Sequence, residues 1–169
     1  MKNLTSKHKD PALAKLSLTN PFHFLALGFG SGLAPKAPGT FGTLAALPLY
    51  WLMMDLSLGW YLTITIVVTV AGFWICERTA KDMDVHDHGA IVWDEVAGML
   101  ITMIAAPISL AAVIVGFALF RFFDIVKPWP IKLLDRHVKG GFGIMIDDVL
   151  AGIFAAICLQ LIHWQWPLI

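Results

Sequence analysis

Five carboxylates stand at three places in otherwise apolar sequence: the pair Asp94-Glu95, the single Asp124, and the pair Asp147-Asp148. Acids gathered at one depth repel unless protons or cations compensate, and a hard divalent cation is the natural partner. Magnesium prefers oxygen ligands, keeps waters, and binds through one or two carboxylates plus substrate phosphates. Taken alone, either pair also reads as a span-end charge snorkelling to the interface, or as a partner for Arg121 and Lys127. Pairs in two segments with a third acid in another favour a functional site, because ionisable groups inside a membrane are costly.

The cations near these acids suit an anionic oxygen ligand. Arg121 lies three residues before Asp124 and Lys127 three after it, so a helix continuing through them places both beside that acid. Pro128 and Pro130 then end the helix. A cation next to Trp129 fits a lipid phosphate at headgroup level, and it fits an ordinary interface anchor equally well. The loop Gly28 to Thr40 adds flexible backbone, the hydroxyls of Ser31 and Thr40, and Lys36. Glycine permits close backbone approach to a phosphate. The spacing is not that of a P-loop, and a tight re-entrant turn explains the loop as well. A second loop, Lys139-Gly140-Gly141-Phe142-Gly143, enters the segment that carries Asp147-Asp148. The run His86-Asp87-His88 reads as a polar loop at the edge of a site, since histidines two apart diverge on a helix. His163 reads as an interface residue.

These groups must be positioned by membrane helices. The chain has 169 residues, 58% hydrophobic and only 14% charged, with a mean hydropathy of +0.74; soluble domains carry roughly 25% charged residues. The same numbers exclude disorder, and a net charge of zero excludes a basic field that recruits nucleic acid. Strong apolar segments run over 43–58, 60–76, 109–123 and 144–163, and a fifth, interrupted by Asp94-Glu95, over 90–108. The expected fold is therefore an all-α, polytopic membrane bundle of about five spans. Several segments fall short of the ~20 residues of a full span, so helices extend into polar flanks or sit in thinned bilayer. The stretch 21–33 is too short and glycine-rich to span, and is expected to be re-entrant or interfacial.

Orientation follows from Lys and Arg, which stay in cytoplasmic loops. With the N-terminus inside, five (Lys2, Lys7, Lys9, Lys15, Lys36) precede the first span. Two more (Arg78, Lys81) lie in the second inner loop and five in 121–139, which accounts for all 12. The five site acids fall on this same face. Residues 1–20 form a basic cytoplasmic segment without the apolar core of a signal peptide, expected to remain on the mature protein, and 21–169 form one transmembrane domain. Both acidic pairs are followed by small residues, Ala97-Gly98 and Ala151-Gly152, that let membrane helices approach closely. Cys76 and Cys158 sit in apolar stretches and suggest no disulfide or redox motif. There is no Cys-x5-Arg and no Asp-x-Asp-x-Thr, so covalent cysteinyl or aspartyl phosphate routes lack their nucleophile motifs.

Four blocks together resemble the bacterial phosphatidylglycerophosphatase A family: Gly28 to Gly42, Ile91-Val92-Trp93-Asp94-Glu95, Arg121 to Ile131, and Gly140 to Gly152. The resemblance implies an inner-membrane, magnesium-dependent phosphatase that removes the terminal phosphate of phosphatidylglycerophosphate in phosphatidylglycerol and cardiolipin synthesis. It further implies Mg2+ held by Glu95, Asp147 and Asp148, with Asp94 and Asp124 as further ligands or neighbours. Lys36, Arg121 and Lys127, with Ser31 and Thr40, are then expected to bind substrate. The partner is a phospholipid in the membrane, with no nucleic acid and no obligate protein. Phosphatidic acid or another lipid phosphate as substrate, and a small carboxylate-lined transporter, are the competing readings. Transport needs access from both faces, and nearly all charge lies on one.

Overall fold

A computed structural model describes residues 10–167; Lys2, Lys7 and Lys9 of the basic N-terminal segment lie outside them. The described residues are helical, with seven α-helices and no strand: α1 (Pro21–Ala26), α2 (Pro38–Met53), α3 (Leu58–Met83), α4 (Trp93–Thr102), α5 (Leu110–Val126), α6 (Ile131–His137) and α7 (Gly140–Gln165). Local signals account for several starts. Asn20 caps α1, its Oδ1 accepting from the Phe22 amide at 3.0 Å, with Pro21 in the first turn. Ser109 caps α5 through the Ala112 amide at 3.1 Å, and Pro38 opens α2. These are the residue types that satisfy orphan amides or lack one.

Each of the five apolar segments carries a helix, and α3 and α7, at 26 residues, are long and apolar enough to cross a membrane. Their outer faces stay bare: Trp74 on α3 and Trp164 on α7 are 78% and 81% exposed. Large apolar side chains left on the outside of a helical bundle suit lipid rather than water. The other three helices are shorter, with 16 residues in α2, 10 in α4 and 17 in α5. The stretch 21–33 forms α1, a tight glycine turn and one 3-10 turn packed on α3 and α2, and does not span.

Helix α4 is the centre of the bundle. Val96, Ala97, Met99 and Leu100 are wholly buried, in contact with α2, α3, α5 and α7. Gly98 and Gly152 lie at its crossing with α7, where Ala97 and Ala151 are also fully buried, so the small pairs anticipated from sequence do bring the two acidic helices together. Polar side chains of its own and of its neighbours tie it to them. Tyr61 donates to the Leu100 carbonyl at 2.8 Å, the Trp93 indole donates to Val68 O at 3.1 Å, and Gln160 donates to the carbonyls of Ile104 and Ala105 just past its end.

Helix α4 is also recessed, which the interrupted segment 90–108 did not indicate. Residues 90–92 stay non-helical, and the Val92 amide bonds Ala26 O at 2.8 Å. Gly32 lets this extended stretch pass, since a Cβ there would collide with Ala90 O. The loop after α3 thus descends into the bundle before α4 begins, and Asp94-Glu95 start their helix well inside the end of α7. From Gly140 to Asp148 is eight residues, about 12 Å of helix.

Candidate functional site

At one end of the bundle α2, α4 and α7 begin and α3 and α5 end, around a cavity of about 190 Å³. Asp94, Glu95, Asp124, Lys127, Asp147 and Asp148 line it, with His86, Asp87 and Asp135 at its loop side. All five predicted carboxylates are therefore in one site. Oxygens of Asp94, Glu95 and Asp148 lie within 4.8 Å of one another. Glu95 Oε2, Asp147 Oδ1 and Asp148 Oδ2 are buried without a hydrogen-bond partner. Orphaned buried carboxylate oxygens are expensive unless something compensates. An all-oxygen donor set with several unpaired atoms, on residues that line one cavity, fits a hard cation.

The cations hold the flanks. Arg121 Nη1 stands 2.5 Å from Asp124 Oδ2 and 3.8 Å from Glu95 Oε1. Lys127 does not join them at Asp124. Helix α5 stops at Val126, and Lys127 caps it in the left-handed region with φ 44°, so the expectation of a continuing helix is corrected by the proline-rich turn that follows. The turned side chain reaches Asp147 at 2.5 Å and Asp135 at 2.6 Å. Burial by itself disfavours the Lys127 ammonium, but the hydrogen bonds to Asp135 and Asp147 outweigh it and hold its pKa above the ordinary lysine value.

The glycine loop meets the site through its backbone. Gly39, in the first turn of α2, is buried against Glu95 and Arg121; a Cβ there would collide with Glu95 Oε1 and stand 3.0 Å from Arg121 Nη1. Ser31, Lys36 and Thr40 do not line the cavity. Lys36 is exposed, Ser31 and Thr40 are half-buried, and the Ser31 hydroxyl donates to Leu27 O at 3.5 Å. The His86-Asp87-His88 loop divides its labour. His86 and Asp87 line the cavity edge as anticipated, while His88 turns to Asp10 at 2.8 Å and accepts from the Ala90 amide at 3.1 Å. That pairing, together with the Ala12 amide, holds the Asp10 carboxyl below its ordinary value.

Sequence reasoning did not single out Gly39, Asp135 or Glu77 as separate contributors. The Pro38-Gly39 helix start was the available signal for the first. Asp135 had none, since an acid three residues before Val138 on a short polar helix looks solvated until Lys127 turns towards it.

The family model described as Phosphatidylglycerophosphatase A matches residues 24–163. Phosphatidylglycerophosphatase A of Escherichia coli (strain K12) is 50% identical over 163 residues, covering 96% of this chain and 95% of its own length. Phosphatidylglycerophosphatase A of Haemophilus influenzae (strain ATCC 51907 / DSM 11121 / KW20 / Rd) is 49% identical over 158 residues, covering 92% of this chain and 96% of its own. No solved structure matches the chain.

Proposed function

The chain belongs to the phosphatidylglycerophosphatase A family, and from that premise we propose that it hydrolyses the terminal phosphomonoester of phosphatidylglycerophosphate with Mg2+ as cofactor. The products are phosphatidylglycerol, a precursor of cardiolipin, and inorganic phosphate. The observation that carries this reading is the meeting of Asp94, Glu95 and Asp148 oxygens within 4.8 Å, beside Arg121 and Lys127.

Glu95, Asp148, Asp94 and Asp147 would hold the metal, with Asp124 beside them, and the bound metal would neutralise charge on the terminal phosphate. Arg121 and Lys127 orient phosphate oxygens by exchanging part of their present carboxylate contacts. A cavity carboxylate accepts the proton of the attacking water as its oxygen bonds phosphorus. The bond from phosphorus to the glycerol oxygen then breaks, and the Lys127 side supplies positive charge and a proton to the departing alkoxide. Walls made by α4, α5 and α7 keep bulk water to the open loop side.

The membrane arrangement belongs to the same proposal: five spans with the N-terminus inside, and the site on the cytoplasmic face of the bacterial inner membrane. The distribution of Lys and Arg supports it. A recessed cavity at one bundle end suits a substrate whose headgroup sits at the surface while its acyl chains remain in lipid. The test is phosphate release from a panel of lipid phosphates in detergent, with and without Mg2+. Release from phosphatidylglycerophosphate well above that from phosphatidic acid is expected. Equal rates on both would sink the headgroup assignment, and no release from any would return the transporter reading.

A further inference from the structure

Helix α7 brings Asp147 and Asp148 to the site opposite Asp94 and Glu95 of α4, and because α3 packs on both helices the axial height of α7 against α3 bears on whether the acids meet. Its first turn has no cap of its own, because the side chain of Lys139 caps nothing. The orphan amides are instead served from other elements. The Gly141 amide donates to Glu77 Oε2 on α3, and the Gly140 amide donates to His86 Nε2 at 3.3 Å. Glu77 is itself paired with Lys81 at 2.7 Å one turn on.

The surrounding packing shows why two glycines stand here. Gly140 has φ +73°, and a Cβ on it would lie 2.6 Å from Glu77 Oε2. A Cβ on Gly141 would strike Phe73 O and lie 2.8 Å from the Glu77 amide nitrogen. The start of α7 therefore docks on α3 at backbone distance. Further along, Phe73 stacks on Phe142 with centroids 5.0 Å apart, and a Cβ on Gly72 would lie 2.7 Å from Met145 Sδ. Those contacts are fits of shape without a polar bond. The carboxylate bond at Gly141 is directional, and a slip of one residue moves α7 by about 1.5 Å and turns it by about 100°. Such a slip would carry Asp147 and Asp148 out of the cluster.

We propose that Glu77 is a positioning residue for the phosphatase site, an N-cap supplied by α3 that sets the height of α7 and thereby places Asp147 and Asp148. The catalytic consequence rests on the function proposed above, whereas the register itself does not. The test pairs a cross-link with an assay. Cysteines introduced by Phe73→Cys and Phe142→Cys report the α3–α7 register by oxidation in membranes, with each single variant as a control for Cys76 and Cys158. Alongside, kcat, KM and the Mg2+ concentration for half-maximal activity are measured in the chain without these cysteines. Glu77→Ala should lower the cross-link yield several-fold. It should also lower kcat and raise the half-saturating Mg2+ by about tenfold or more, with KM for lipid little changed. Glu77→Gln, which keeps an acceptor for the amide, should recover most of both. An unchanged cross-link in Glu77→Ala overturns the proposal, as does a lost cross-link with unaltered kcat and Mg2+ dependence. A chain that releases no phosphate before mutation fails the proposed function instead, and the cross-link still decides the register.

Discussion

Gly98 on α4 and Gly152 on α7 meet backbone to backbone: a methyl added to Gly152 would stand 2.6 Å from the Gly98 carbonyl oxygen and 3.1 Å from Cβ of Ile101. A carbonyl in a buried helix cannot swing aside as a side-chain tip can. Gly152→Ala should therefore push the two acidic helices apart, at about 1–3 kcal/mol of stability, and activity should fall with it. Gly59, where an added methyl would meet nothing within 4 Å, is the control: Gly59→Ala should be neutral or slightly stabilising. Thermal unfolding in detergent reads both, and equal effects would refute the crossing argument.

The carboxylate cluster predicts isosteric sensitivity. Asp94→Asn, Glu95→Gln and Asp148→Asn should each cut Mg2+-dependent phosphate release by about a hundredfold or more, on the scale of lost metal or transition-state contacts. Chelation should abolish activity in the unaltered chain and Mg2+ should restore it. Mg2+ should also raise the unfolding temperature of that chain and not of Asp148→Asn, since a ligand stabilises only the state that binds it.

Lys127 yields a pH prediction. Its folded-state pKa lies above the ordinary value through Asp135 and Asp147, so its contribution is complete below the unfolded value, about pH 10, and is lost only as pH rises through the higher folded one. No alkaline loss of activity below about pH 10 should then trace to this group. Asp135→Asn keeps an acceptor for the ammonium but removes the negative charge beside it, and should move that alkaline loss downward while leaving activity at neutral pH within a fewfold. Lys127→Arg should not restore what Lys127→Met loses, because a planar fork cannot reproduce a point ammonium between two acids. Activity profiles of the three variants against pH check this.

At the far end, Gln160 donates to Ile104 O and Ala105 O at 3.1 and 2.8 Å. Gln160→Leu removes both bonds, one of them part-buried, and should cost roughly 0.5–1.5 kcal/mol. Because the cavity lies at the opposite end, KM and the half-saturating Mg2+ should stay unchanged while the unfolding temperature drops.

Much of this arrangement was legible from residue types. Apolar length located the five helices, small residues after each acidic pair marked the α4–α7 crossing, and five acids on one face located the cavity. What escaped the sequence depends on neighbours distant along the chain. The depth of α4 follows from Val92 bonding Ala26 and from Gly32 clearing Ala90, which no local pattern encodes. The turn of Lys127 away from Asp124 depends on a left-handed cap that a helical spacing rule ignores. The glycine loop reaches the cluster through Gly39, where a side chain has no room, whereas Ser31, Lys36 and Thr40, the groups singled out in sequence, lie off the cavity lining. Glu77 reads in sequence as one member of an i, i+4 pair with Lys81, and only the start of α7 against it gives it a second partner.

The brevity of α4 bears on how the protein is made. Ten residues give about 15 Å of helix, about half the thickness of a bilayer core, and Asp94 and Glu95 occupy its first turn, so α4 is too short to cross a bilayer by itself. Its place depends on helices that follow it: Arg121 of α5 stands 3.8 Å from Glu95, and α7 packs against it at Gly152. The acidic cluster is therefore assembled only once α5 and α7 have both followed α4, and a chain cut before α7 leaves α4 without its most extensive packing partner.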